Sequence, residues 1–156
     1  MRLEVGDPAP PFRRTDDTGN EVSLGDFAGK QLVIYFYPKA FTPGCTTEAC
    51  DFRDHYDTFV DAGYSVVGVS PDTPEELAKF RGEHGLPFSL LSDPDHATAE
   101  AYGAWGPKKN YGREYEGIIR STIVVGADGN VENAWYNVRA KGHVDRVAGA
   151  VLTGDA

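Results

Sequence analysis

Residues 32–54 read LVIYFYPKAFTPGCTTEACDFRD, and they contain both cysteines of the chain, Cys45 and Cys50. The stretch opens with six consecutive apolar residues, mostly aromatic or β-branched, the composition of a central strand covered on both faces. Pro38 and the Pro43-Gly44 pair then punctuate the chain, as turn residues do between regular elements. From about Thr46 the periodicity changes. Ala49, Phe52, Tyr56, Phe59 and Val60 recur at three and four residues, which predicts a helix to Ala62 with Cys45 at the N-terminal end of its apolar stripe. A buried strand therefore runs through a short loop into a helix, and one thiol sits at the junction.

Working outward, SVVGV at 65–69 repeats the buried-strand pattern, and FSLL at 88–91 is a shorter version. IIRSTIVV at 118–125 is a third long run, interrupted by Arg120, and the turn sequence Ala127-Asp128-Gly129-Asn130 leads into VENAWYNV at 131–138. Thr73-Pro74-Glu75-Glu76 combines a capping box with proline at the first helical position, and Gly85 ends the helix that follows. Val144, Val147, Ala148 and Val151 mark a last helix over 143–152. Alternating strands and helices without repeats or linkers predict an α/β fold, a central mixed β-sheet flanked by helices, in one domain over 1–156. In such sheets, chemistry collects where strands end and helices begin.

Composition narrows the function. Twenty-four acidic against fifteen basic residues leave a net charge of −9, which argues against nucleic acid, whose recognition needs Lys and Arg on phosphates. No apolar run reaches membrane-spanning length, and none follows Arg2 as a secretory leader would require. The expected compartment is a reducing cytoplasm, where closely spaced thiols indicate redox or metal chemistry rather than stapling. A metal site is disfavoured, because C-x4-C has no second Cys or His pair at finger spacing and the four histidines are scattered. No C-x-x-C is present, which lowers the case for a general thiol–disulfide reductase.

A thiolate, not a thiol, is the nucleophile, and an ordinary thiol is only about 3% ionised at neutral pH. Complete ionisation therefore raises the reactive fraction by at most about 30-fold. Enzymes commonly reach about a million-fold, so the site must also stabilise charge as bonds change. Thr42, three residues before Cys45, offers a hydroxyl; Arg120 offers a permanent cation with a rigid fork of donors. An Arg120 facing water at a sheet edge, or paired with a carboxylate, is an equally open reading at this point. Glu48 similarly either pairs with Arg120 or another base, or supplies a favourable charge near a helix N-terminus. Tyr35, Phe36, Tyr37, Trp105 and Trp135 read as core rather than site.

If Cys45 and Cys50 share one α-helix, they differ by about 140° in direction and lie with Cα atoms about 8–9 Å apart. A disulfide needs about 4.4–6.8 Å. Bonding between them thus requires the helix to unwind locally. Alternatively, Cys50 is simply a small buried helix residue.

Pro38, Thr42 and Cys45 spell P-x-x-x-T-x-x-C, which resembles the active-site signature of peroxiredoxins. The surrounding string is similar to the bacterioferritin comigratory protein, or Q-type, subfamily. GDPAPPF at 6–12, VVGVSPD at 66–72, the run YG-x-x-Y-x-G-x-x-RST at 111–122 and Gly142-His143 agree with it. The resemblance implies a thioredoxin-like fold and reduction of hydrogen peroxide or organic hydroperoxides without metal or bound cofactor. It implies that Cys45 is the peroxidatic cysteine, that Thr42 and Arg120 orient and polarise the O–O bond, and that Pro38 shields the pocket. Cys50 matches the resolving position, giving an intrachain Cys45–Cys50 disulfide re-reduced by thioredoxin or a glutaredoxin-like protein. Members are often monomers. Two departures stand out: Ala40-Phe41 replaces commonly acidic residues, and IVVGADG replaces an aromatic-containing strand end. A non-catalytic redox sensor or chaperone using the same disulfide, and a thiol–disulfide reductase, are the rival functions.

Overall fold

In the computed structural model, which describes residues 2–110 and 112–152, the LVIYFY run belongs to strand β3 (Gln31–Phe36) at the heart of a seven-stranded sheet. The other strands of this sheet are β1 (Arg13–Asp16), β2 (Glu21–Ser23), β4 (Tyr64–Ser70), β5 (Ser89–Ser92), β8 (Ser121–Val125) and β9 (Val131–Trp135). Their order is β2-β1-β5-β4-β3-β8-β9. The β3, β4 and β5 strands run parallel; β8 joins β3 antiparallel, with Tyr35 opposite Thr122. Strands β6 (Trp105–Asn110) and β7 (Arg113–Ile118) form a separate hairpin. Tyr111, one residue of the YG run, lies outside the described residues, as do Met1 and residues 153–156.

The period-two pattern of β3 feeds two cores. Val33 and Tyr35, with Tyr37 just beyond the strand, pack on one face with Cys45, Ala49 and Phe52; Leu32, Ile34 and Phe36 pack on the other with Tyr102, Ile118 and Ile123. Both faces are covered, so the whole strand is apolar. The first face is closed by α1 (Pro43–Asp54), α2 (Tyr56–Asp61), α3 (Pro74–His84) and α5 (His143–Leu152); the short α4 (Ala97–Ala101) contributes Ala99 to the second. Trp105 and Trp135 pack against these clusters, as the core reading expects.

The predicted helix over 46–62 is corrected at both ends of its argument. Thr42 is extended (φ −82°, ψ 152°) and Pro43 occupies the first turn, a position for which proline's fixed φ is suited. The helix therefore starts three residues before the predicted Thr46, and Cys45 is its third residue. It also breaks at His55 (φ −99°, ψ 2°), whose ring Nδ1 lies 2.9 Å from the Asp51 carbonyl oxygen. The run over 118–125 is likewise two strands. Ile119 donates to the Ala104 carbonyl, and the Arg120 carbonyl accepts from Val138, so the chain leaves the hairpin at Ile118 and joins the main sheet at Ser121. The expected 131–138 strand ends at Trp135, and FSLL shifts by one residue into β5. The strands RRTD and EVS at one end of the sheet and the hairpin strands WGPKKN and REYEGI have no apolar run to reveal them. The capping box at Thr73 forms as read, with Glu76 N–H donating to the Thr73 hydroxyl at 3.2 Å and Thr73 N–H to the Glu76 carboxylate at 3.0 Å; Gly85 closes α3 in the left-handed conformation.

Candidate active site

The loop between β3 and α1 is tied down from β4. Tyr37 N–H donates to the Val69 carbonyl at 3.1 Å, and Ala40 N–H to Asp72 Oδ2 at 2.8 Å. Ser70 Oγ donates to the same carboxylate oxygen at 2.7 Å. The next residue, Phe41, is a non-glycine at φ 67°, a conformation costing about 1–3 kcal/mol. Its exposed ring packs edge-on to Phe80, 5.2 Å between centroids. These contacts aim Thr42 into the helix cap and Cys45 into the first turn of α1.

Cys45 is buried, 1% exposed. Its sulfur accepts from Arg120 Nη2 at 3.3 Å, while Nη1 of the same guanidinium donates to Glu48 Oε1 at 2.6 Å. Cys45 and Glu48 are three residues apart and so share a helix face; one arginine fork bridges them. No acidic residue occupies the first turn of α1, so the partial positive charge of the helix terminus is left to the sulfur. Gly44 makes the approach feasible, since a Cβ there would stand 3.2 Å from Arg120 Nη2. The donors and the helix terminus together stabilise negative charge on Sγ.

Glu48 is fully buried, and its second oxygen, Oε2, has no hydrogen-bond partner among the described residues. Burial pushes its pKa up to about 7 against the opposing pull of Arg120. Behind it, Tyr35 stacks on Phe52 at 4.5 Å and on Tyr37 at 5.3 Å. Its phenol is held well above the usual range by burial, with Tyr37, Glu48 and Cys45 adding. Gly68 leaves room for that ring, because a Cβ would fall 2.8 Å from Tyr35 Cζ. Thus of the two open readings of Glu48, the pairing with Arg120 holds, and Arg120 itself both meets a carboxylate and touches the sulfur.

The remaining expected residues separate by role. Thr42 stands at the N-cap position of α1 without a side-chain capping bond; its hydroxyl donates instead to the Lys39 carbonyl at 2.7 Å, which leaves lone pairs to accept a proton from outside. Pro38 lines a cleft of about 380 Å³ together with Arg120, Ile119, Asn137 and Val138. Cys50 lies on the same unbroken helix as Cys45, half-buried, and both are free thiols. Regular helix geometry keeps their Cα atoms about 8–9 Å apart, beyond disulfide range.

Two further residues gain a place beside the site only in the structure. Lys108, on the hairpin, lines the same cleft and donates from Nζ to the Ile118 carbonyl at 2.8 Å. Burial and then Arg120 lower its pKa, with Cys45 opposing. The Lys108-Lys109 pair before a charged, alternating REYEGI was the available signal, overlooked because a hairpin standing off the core carries no apolar stripe. His143 opens α5, fully buried, with Nε2 2.7 Å from Thr122 Oγ1. Burial, then Arg146 and Arg120, bring its pKa down to about 4.

A buried thiol in the first turn of a helix, carrying an arginine on its sulfur at the end of a central parallel strand of a thioredoxin-like fold, is an arrangement suited to thiol-dependent peroxidase chemistry. The chain belongs to the AhpC/TSA family, whose profile matches residues 5–134. Peroxiredoxin Bcp of Bacillus subtilis is 48% identical over 144 residues, 92% of each chain, and that of Escherichia coli is 44% identical over 145 residues, 93% of each. Among solved structures, a cysteine mutant of Xylella fastidiosa PrxQ superposes with a TM-score of 0.93 at 28% identity, over 100% of this chain and 99% of the other. The bacterioferritin comigratory protein of Xanthomonas campestris, studied for alkyl peroxide reduction, gives 0.87 at 38% identity, over 92% and 91%. The fold expectation and the peroxidase reading are thereby supported. No helix among the described residues is long and apolar enough to cross a membrane, and no cluster of three or more His, Cys, Asp or Glu is placed to hold a metal.

Proposed function

We propose that Cys45 is the peroxidatic residue and Cys50 the resolving residue of a single-domain, monomeric, cytoplasmic peroxidase. The observation that carries this reading is the guanidinium of Arg120 on Sγ at 3.3 Å. The Cys45 thiolate attacks the terminal oxygen of the hydroperoxide. The O–O bond breaks, an S–O bond forms, sulfur loses two electrons, and the departing alkoxide or hydroxide takes up a proton to become alcohol or water. Arg120 faces the oxygens on which negative charge develops, the Thr42 hydroxyl accepts from the peroxide O–H, and Pro38 keeps water from the sulfur. Cys45 is left as a sulfenic acid, which a thiol condenses to a disulfide with loss of water.

That second step needs the first turns of α1 to open. Phe52, fully buried and stacked on Tyr35, anchors the helix downstream, whereas upstream of it Cys45 meets Arg120 through its sulfur and Cys50 is only half-buried. Unwinding confined to the segment before Phe52 brings Cys50 to the oxidised sulfur and dismantles the helix terminus that served Cys45. An external dithiol, thioredoxin or a glutaredoxin-like protein, then takes the disulfide and returns both thiols. The test is consumption of hydrogen peroxide by the purified protein with a thioredoxin system and NADPH. Wild type turns over and Cys45→Ser does not; a wild-type rate no better than background sinks the reading in favour of a sensor.

A further inference from the structure

The cleft above Arg120 presents four cations, Arg2, Lys108, Lys109 and Arg120, and among the described residues no carboxylate lines it. This is unexpected for a chain with nine more acidic than basic residues. Two of these cations, Arg2 and Lys108, have no carboxylate partner among the described residues. Among the described residues, Arg2 lies over the Tyr136 ring, 5.1 Å from its centroid, and Lys108 Nζ donates to a backbone carbonyl. Lys109 approaches Glu114 only to 3.7 Å, both largely exposed, a pairing worth little in water. Arg120 alone has a buried carboxylate, on its inward side.

We propose that this cleft selects hydroperoxides carrying a carboxylate or a like anionic group close to the O–O bond, with Lys108 the residue that determines this specificity. The inference rests on the peroxidase reading above. With the peroxide oxygens at Arg120 and Cys45, the substituent has beside it the cleft that Arg120 and Pro38 line, whose volume suits a small organic acid. Lys108 is partly buried at its wall, where water screens charge least. The long-range field opposes this, because the whole molecule repels anions. At about 0.1 M salt, charges beyond about 10 Å are screened away, so the local lysines decide the encounter.

Stopped-flow oxidation of the reduced protein tests the idea with a matched pair: tert-butyl hydroperoxide, and the β-hydroperoxy acid formed by placing a carboxylate on one of its methyl groups. The expected ratio of second-order rate constants, acid over neutral, is about tenfold, within the range of electrostatic rate enhancement, and falls as salt is raised. Lys108→Gln lowers that ratio about tenfold whatever it does to the neutral rate, and Lys108→Arg restores it. A ratio at or below unity, a ratio that rises with salt as the net charge alone predicts, or one unchanged by Lys108→Gln overturns the proposal. Should Lys108→Gln fail to fold, the salt dependence of wild type and the ratio in Lys109→Gln decide. Failure to oxidise with either peroxide refutes the peroxidase reading itself, a distinct result.

Discussion

Glu48→Gln breaks a buried ion pair, yet it is expected to stabilise the protein in alkaline solution while slowing its chemistry. The carboxyl sits with no exposure, one oxygen 2.6 Å from Arg120 and the other unpartnered. Its pKa is raised from 4.5 to about 7 by burial, despite Arg120. Ionisation is therefore harder in the folded than in the unfolded chain, so Glu48 costs stability increasingly as pH rises from about 4.5 to about 7. At about 1.4 kcal/mol per tenfold, the penalty is under about 1 kcal/mol at about pH 5 and about 3 kcal/mol at about pH 8. Glutamine keeps an oxygen for Arg120 and removes the charge. Arg120 is not orphaned, because it retains the Cys45 sulfur and its side chain, 16% exposed, borders the cleft. Urea denaturation of the reduced proteins at both pH values measures the difference, with unchanged m-values as the check on two-state behaviour. A variant less stable than wild type at about pH 8, as when removing one partner of a typical buried pair costs about 3–5 kcal/mol, or a difference that does not grow with pH, refutes the argument. The rate of Cys45 oxidation should fall, since the guanidinium loses the anion that fixes its fork.

Arg120→Ala should slow Cys45 oxidation about 10²–10³-fold, the scale for a lost preorganised donor, read by stopped flow; an effect below about tenfold assigns the arginine to structure. Cys50→Ser should keep the first, stoichiometric oxidation but lose thioredoxin-linked turnover, with mass spectrometry finding sulfenic acid or an intermolecular dimer in place of the intrachain bridge. Equal loss of the first step in Cys45→Ser and Cys50→Ser contradicts the division of labour. His143, neutral when folded because its pKa is lowered to about 4, contributes stability that is fully present above about pH 6.5 and lost as pH falls through about 4. His143→Gln should flatten that acid limb in thermal melts, and a limb unchanged in the variant places the acid sensitivity elsewhere.

Local chemistry made much of this protein legible in one dimension. The apolar LVIYFY run, the Pro-Gly break and the stripe through Ala49, Phe52 and Phe59 carry their own periodicity, and they placed Cys45 at a strand-to-helix junction because burial on both faces, turns and amphipathic helices each leave distinct residue patterns. The separation of Cys45 and Cys50 followed from helix geometry alone. Non-local pairings left no such trace. Nothing in the order of residues tells which of several readings Arg120 adopts: only the break at Ile119, the antiparallel seating of β8 beside β3 and the Cβ-free Gly44 bring its fork onto both Sγ and Glu48. The charged hairpin that carries Lys108 to the cleft and the Asp72 tether beneath Ala40 were equally silent. Electrostatic contacts depend on distances across the fold and on how much water is excluded from them, and those quantities exist only once the chain has closed on itself.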